Sequence, residues 1–465
     1  MVSPGYATTK DKVLRINLDD SMYGTFAEIG AGQETVNNFF YVGASAGTVA
    51  KSISAYDMTM SDAIYGKTKR YVSRERLVHM LDHEYELLTQ RLEQKRGADT
   101  RFFSYANTVR ARGYKDNGEC HGWMGIRLQM SPGHASNDIL LHVRLLDPTN
   151  RRQQEALGVL GVNLIYGALF FDGDLDRFVC SLMDNLTAQR VEVDMLKFVG
   201  PDFASVDNRI CSLMLVEKGL TPTAMFSANG SVVQPAECFY RKPIVVLRGG
   251  FQPPSRVHMD MLKQSRMRMN AQLGNGSGEE VVEVMEITMN NLLREREGGV
   301  DYNDFVARAD MLQALGKNVL VSKFAQFHRL SAFFSRYTDK PIGVLVGLPL
   351  FERLFEAHWY EELEGGILEG FGRLFKNQVR LHVYPTAREP GGDIRRLESA
   401  SVPVAMQSLL DYMRTNEMVE ALDSEVEELL HFKPRDIRKM ILAGDDRWQE
   451  LVAPNLPGNL YQKFQ

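Results

Sequence analysis

The residues best suited to bind a phosphate lie in one short stretch of the chain. They are Gly249, Gly250, Phe251, Ser255, Arg256, His258 and Lys263. The apolar run Ile244–Leu247 precedes them, and helical spacing begins near His258. Paired glycines let a backbone approach a ligand because they have no Cβ, and the start of a helix offers free N–H groups and a positive dipole end. The stretch therefore predicts a strand, a glycine turn and a helix that together hold a phosphate.

His258 and Ser255 are the candidate catalytic residues of this stretch. An imidazole in the first turn of the helix would stabilise charge that builds on a transferred phosphoryl group. Arg256 and Lys263 would neutralise further charge, and the backbone at 249–251 would hold the phosphates. The alternative interpretation is a purely structural turn, in which the prolines start the helix and His258 is a polar cap.

The stretch GGFQPPSRVH resembles the ATP-phosphate motif of nicotinamide/nicotinate mononucleotide adenylyltransferases, which belong to the nucleotidyltransferase superfamily. Gly249, Phe251 and Pro253 match the turn of that motif, and His258 matches its second histidine. Ser255 stands where the family has its first histidine or a threonine. The whole chain also resembles a group of uncharacterised bacterial proteins that carry the same label.

The resemblance implies a Rossmann-like fold and adenylyl transfer from ATP, with Mg²⁺, to a small phosphorylated substrate. We therefore expect a nucleotide-dependent transferase. The alternative function is a non-catalytic α/β protein that binds a phosphorylated metabolite or scaffolds a complex.

The pattern of strands and helices predicts an α/β fold class. Short apolar strands such as Ile342–Gly347 and Val379–Tyr384 alternate with helices such as Tyr302–Leu315. This alternation is typical of a mainly parallel sheet with helices on both faces. Ligands of such sheets bind at the carboxyl ends of the strands, which is where the glycine turn falls.

Breaks in the pattern near residues 150 and 385 predict three regions. Residues 1–150 form an α+β region with consecutive strands in its second half, and 151–385 form the α/β Rossmann-like domain. Residues 386–465 form a helical extension. Within the first region we expect short helices at Thr35–Tyr41 and Thr48–Tyr56.

Composition favours a cytoplasmic protein. The 465 residues are 44% hydrophobic, with a net charge of −5 and four widely spaced cysteines. That charge does not favour nucleic acid, and no apolar run has the length of a membrane span. The cysteines fit a reducing compartment. We expect neither a nucleic-acid nor a membrane partner, and a homo-oligomer remains open.

Three other patterns have both a structural and a chemical interpretation. His79 and His83 have the i, i+4 spacing of zinc ligands, although surface histidines explain them as well, and we expect no metal. Cys120 beside His121 could pair a nucleophile with a base, but neighbours on a strand face opposite sides. The glycine turn at 30–33 suggests tight packing or a second anion site.

Overall fold

The computed structural model describes residues 7–30, 32–110, 112, 118–274, 278–293, 299–454 and 456–457. By their internal contacts the residues form two compact units, Met1–Thr221 and Pro222–Gln465. The breaks predicted near residues 150 and 385 fall inside these units, and the three-region organisation stays a prediction. No helix within the described ranges is long and apolar enough to cross a membrane.

The first unit is built on a mixed sheet. Its described strands are β1 (Met22–Gly30), β2 (Val49–Ser54), β3 (Arg101–Val109), β4 (Cys120–Gln129), β5 (Ser136–Leu145) and β6 (Val191–Val199). They lie in the order β2-β1-β3-β4-β5-β6. Strand β1 is parallel to β2 and β3, whereas β3 to β6 are antiparallel neighbours. The consecutive strands predicted for the second half of residues 1–150 are confirmed, and they pair antiparallel.

Helices cover this first sheet. They are α1 (Thr9–Asn17), α2 (Glu34–Val42), α3 (Met58–Tyr65), α4 (Arg74–Arg96), α5 (Asn150–Leu169), α6 (Leu175–Ser181) and α7 (Asn208–Lys218). The short helix predicted at 48–56 is wrong, because Val49–Ser54 pairs with β1 as strand β2. Here pairing with a neighbouring strand outweighs the helix-like spacing of small residues.

The second unit is built on a mainly parallel sheet. Its described strands are β7 (Thr223–Phe226), β8 (Val232–Val233), β9 (Ile244–Arg248), β10 (Val282–Thr288), β11 (Asn318–Ser322), β12 (Ile342–Gly347), β13 (Val379–Tyr384) and β14 (Val419–Ala421). Their order is β14-β13-β12-β9-β10-β11-β7-β8, and β9 to β14 run parallel. The chain leaves β9 toward β10 and β11, then returns to the other side of β9 for β12.

Helices alternate with these strands. They are α8 (Pro235–Phe239), α9 (Arg256–Leu273), α10 (Met289–Leu293), α11 (Tyr302–Ala314), α12 (Phe327–Phe334), α13 (Leu348–Arg353), α14 (Gly366–Leu374), α15 (Gln407–Thr415) and α16 (Pro434–Ala443). The predicted α/β class is confirmed. The C-terminal region is mainly helical as expected, but it also supplies the edge strand β14.

Helix α5 packs closely on α2 at Gly161, where a larger side chain would not fit. This packing can be tested by mutation. A Cβ at Gly161 would lie 2.3 Å from Oγ1 of Thr35 and 2.7 Å from the hydroxyl of Tyr105. These two hydroxyls are hydrogen-bonded to each other at 3.0 Å, so neither is free to move away. We expect Gly161→Ala to lower the free energy of unfolding by about 1–3 kcal/mol, measured by urea denaturation.

The control is Gly372→Ala on α14, where a Cβ would meet nothing within 4 Å. This change should be neutral or should stabilise its own unit by up to about 1 kcal/mol, because alanine favours helix over glycine. Equal destabilisation by both changes would contradict the packing argument.

Candidate functional site

The glycine turn joins the first parallel strand of the second sheet to its longest described helix. Strand β9 ends at Arg248, and α9 begins after Ser255, whose Oγ accepts a hydrogen bond from the N–H of His258 at 3.3 Å. In return, Nδ1 of His258 accepts the N–H of Ser255 at 3.0 Å. This reciprocal pair is a capping box in which histidine takes the usual place of Glu or Gln.

The capping box determines the tautomer of His258, and burial determines its charge. Because Nδ1 accepts a hydrogen bond, the proton of the neutral ring lies on Nε2. Burial lowers the pKa of His258 to about 4, so the imidazole is neutral near pH 7. The ring of Phe251 packs edge-on against it, with the ring centroids 5.2 Å apart. His258 can therefore donate a hydrogen bond to an anion without contributing a positive charge.

A cavity of about 590 Å³ lies at the carboxyl ends of β9, β12 and β13. We call it the switch-point cavity, because the chain reverses its direction across the sheet between β9 and β12. Ser255 and His258 line it from the start of α9. The C-terminal region lines another part with Leu430, Phe432, Lys433 and Pro434. Open parallel sheets bind their ligands at such a point.

The switch-point cavity has a positive lining. Its cationic side chains are Arg248, Arg353 and Lys433, and its described lining contains no Asp or Glu. Arg248 is paired with Glu286, but Arg353 and Lys433 form no salt bridge within the described residues. Arg353 instead lies over the ring of Trp359, with its guanidinium carbon 5.4 Å from the centroid. A cavity with this charge favours an anionic ligand.

A second cavity, of about 230 Å³, adjoins the first. We call it the aromatic cavity, because Phe327, Trp359 and Tyr360 line it. Arg248 and Arg353 line both cavities and so stand in their common wall. His328 also lines this cavity, and its buried Nδ1 has no hydrogen-bond partner within the described residues.

The structure distributes the predicted site residues unevenly. Ser255 and His258 line the switch-point cavity, whereas Gly249, Gly250 and Phe251 form the turn behind them. Phe251 is fully buried, with a left-handed φ of 50°, and its ring would lie 2.8 Å from a Cβ at Gly249. Glycine is required at 249 to admit that ring, so this glycine serves packing.

The two predicted cations of α9 have partners elsewhere and do not line either cavity. The backbone N–H of Arg256 donates to the carbonyl oxygen of Leu451 at 3.0 Å, and its guanidinium donates to that of Glu450 at 3.4 Å. Lys263 forms an ion pair with Glu425. Their role in neutralising phosphate charge stays a prediction.

Sequence reasoning missed the three cations that do line the cavity. Arg248 carried a usable signal, since it is a charged residue that ends an apolar strand directly before the glycine turn. Arg353 and Lys433 carried none, because they come from α13 and from the residue before α16, both distant in sequence. Only the fold brings them to the end of β9.

The expectation that no residue of the protein binds a metal stays a prediction. No group of three or more His, Cys, Asp and Glu side chains there could hold an ion. The ring of His83 packs edge-on against Tyr65. Since the described lining of the switch-point cavity offers no carboxylate, it does not fit a protein-bound Mg²⁺.

The polar groups noted in the first unit have internal partners. His121 contacts Nε2 of His142 through its Nδ1 at 3.0 Å, and Nδ1 of His142 contacts Asp194 at 2.6 Å. Cys120 is buried. Beside the glycine turn at 30–33, of which Ala31 lies outside the described residues, the carboxylate of Glu28 accepts the N–H groups of Thr35 and Val36. The N–H groups at the start of α2 are therefore bound to the protein's own Glu28, at the place where a second anion site was considered.

Comparison with known proteins gives weak results. No family model matches the sequence, and no curated protein matches it. Among solved structures, a competence/damage-inducible protein from Agrobacterium tumefaciens has 15% identity and a TM-score of 0.26, covering 36% of this chain and 98% of its own. A competence-damaged superfamily protein from Klebsiella pneumoniae has 9% identity and a TM-score of 0.25, covering 35% of this chain and 98% of its own. These similarities carry no argument about function.

The buried neutral state of His258 predicts how stability depends on pH. Its folded pKa of about 4 lies below the ordinary value of 6.5, so the unfolded chain binds more protons between these values. Stability should therefore fall as the pH drops through this window. From pH 7 to pH 5 the contribution of His258 is about 2 kcal/mol.

Replacing this histidine should remove its share of the pH dependence. We expect His258→Gln to lose less stability than wild type between pH 7 and pH 5, measured from urea midpoints. The exposed His134 of the first unit, changed to Gln, controls for removal of an imidazole. An unchanged slope in the His258 variant would contradict its neutral buried state.

Proposed function

We propose that the second unit transfers an adenylyl group from ATP to the phosphate of a small mononucleotide. The observation that carries the proposal is the cation-lined switch-point cavity, walled by Ser255 and His258 at the end of β9. The resemblance of GGFQPPSRVH to the adenylyltransferase motif supports the same reaction.

In this reaction an oxygen of the acceptor phosphate attacks the α-phosphorus of ATP. The bond between the α-phosphorus and the bridging oxygen breaks, and pyrophosphate leaves with that oxygen. Nε2–H of His258 would donate to the phosphate chain, and Ser255 would orient the imidazole through the capping box. Arg248, Arg353 and Lys433 would balance the negative charge.

The acceptor would bind in the aromatic cavity. Its volume of about 230 Å³ suits a single heteroaromatic ring, for which Phe327, Trp359 and Tyr360 offer contact surface. Arg353, in the wall shared by both cavities, would then lie between the acceptor phosphate and ATP.

The direct test measures pyrophosphate release. The wild-type protein with Mg-ATP and nicotinamide or nicotinate mononucleotide should release pyrophosphate and form the dinucleotide. We expect His258→Ala to lower kcat by about 100-fold or more, because one donor to the transition state is lost. His134→Ala, in the first unit, should leave the rate unchanged.

Binding without turnover would decide between the two functions. If no mononucleotide supports pyrophosphate release while Mg-ATP or a phosphometabolite still raises the Tm, the protein is a binding protein and adenylyl transfer is refuted. Intrinsic fluorescence gives an independent binding signal, since Trp359 lines the aromatic cavity.

Arg353, in the wall shared by the two cavities, gives a second test. We expect Arg353→Met to raise KM for both substrates by about tenfold, which corresponds to about 1.4 kcal/mol for each. The matched control is Arg336→Met, because Arg336 also lies on an aromatic ring, 5.5 Å from the centroid of Phe333, but lines neither cavity. Similar kinetics for both variants would contradict the role of Arg353.

A further inference from the structure

A buried arginine behind the cavity holds the glycine turn. Arg308 on α11 is 0% exposed, and its guanidinium donates to the carbonyl oxygen of Gly250 at 2.9 Å. It also forms an ion pair with Asp304, one helical turn earlier. A charge without access to water needs such partners, since an unpaired buried charge is strongly destabilising.

The carboxylate of Asp304 also holds the turn, through a contact with Gln252. The amide nitrogen of Gln252 donates to Asp304 at 2.7 Å, and its amide oxygen accepts from Arg438 on α16 at 3.1 Å. A carboxylate on one side and a guanidinium on the other determine which end of the amide is oxygen. The turn is therefore tied to α11 and to the C-terminal helix α16.

Phe251 lies between the two residues that are held in this way. Its fully buried ring lies beside Gly249 and makes a T-shaped contact with the ring of His258. A displacement of Gly250 or Gln252 would move this ring, because interiors are close-packed and transmit small shifts. The position of His258 in the cavity wall thus depends on groups that do not touch the cavity.

We propose that Arg308 is a positioning residue. Directly through Gly250, and through its ion-pair partner Asp304 to Gln252, it keeps Phe251 packed on His258 and His258 in the wall of the switch-point cavity. Only the consequence for ATP binding and turnover rests on the proposed function. Arg308 itself would touch neither substrate.

The test follows the titration of His258 by NMR in histidine-labelled protein, with the signal assigned from the His258→Gln variant. In Arg308→Met the loosened turn admits water, so the pKa of His258 should rise from about 4 toward its ordinary 6.5, by at least about one unit. Affinity for Mg-ATP, measured by calorimetry, should fall about tenfold, and Arg308→Lys should restore part of it.

The control is Arg380→Met. Arg380, near the start of β13, is a partly buried arginine that lies away from the turn. It pairs with Glu420 on β14. Loss of that pair should leave both the His258 titration and the affinity for Mg-ATP unchanged. Equal changes in the two variants would overturn the proposal, because they would show a general loosening.

The other possible results for these variants and for the wild type also decide whether Arg308 positions His258. A folded Arg308→Met variant with wild-type titration and affinity would overturn the role of Arg308. If that variant does not fold, Gln252→Ala cuts the second contact and keeps the buried charge pair, and wild-type values there would overturn it equally. A wild-type protein that binds no Mg-ATP would refute the proposed function, while the His258 titration still tests the positioning.

Discussion

The second unit depends on a carboxylate buried in the middle of its sheet. Glu286 on β10 is 0% exposed and accepts two hydrogen bonds from Arg248, at 2.8 and 3.0 Å, and one from Ser322 at 2.6 Å. A charge this deep persists only when its partners are in place. The ion pair holds Arg248, the last residue of β9, in the wall that both cavities share. The arginine that compensates the buried charge of Glu286 is therefore also a cation of the cavity lining.

Charge and hydrogen bonding are divided between different residues at this site. The arginines and Lys433 carry positive charge at the cavity surface, where water and ligand can reach it. His258 lies deeper and is neutral, because removal from water disfavours the imidazolium. Under the proposed function it would contribute a directed hydrogen bond. The contacts of Ser255 and Phe251 hold the orientation of the ring that such a bond requires.

The sequence predicted this fold best where apolar residues followed the repeat of a strand or of a helix clearly. The strand, glycine turn and helix around 249–258 appear as expected, because each step is encoded by neighbouring residues. Residues 48–56 were misassigned, since small residues suit either state and pairing with β1 decides. Arg256 and Lys263 are expected near the phosphates because of their closeness in sequence, and this role stays a prediction. Their described contacts are with the C-terminal region, and they line neither cavity.

By itself, the sequence determined the α/β class, the strand–turn–helix stretch and the place of Ser255 and His258 at the start of a helix. These follow from periodicity, glycine and capping, which act over a few residues. The tertiary structure alone decided the neutral state of His258, the meeting of Arg248, Arg353 and Lys433, and the hold of Arg308 on the turn. The physical reason is that burial and charge compensation depend on strand order, which brings together residues far apart in the chain.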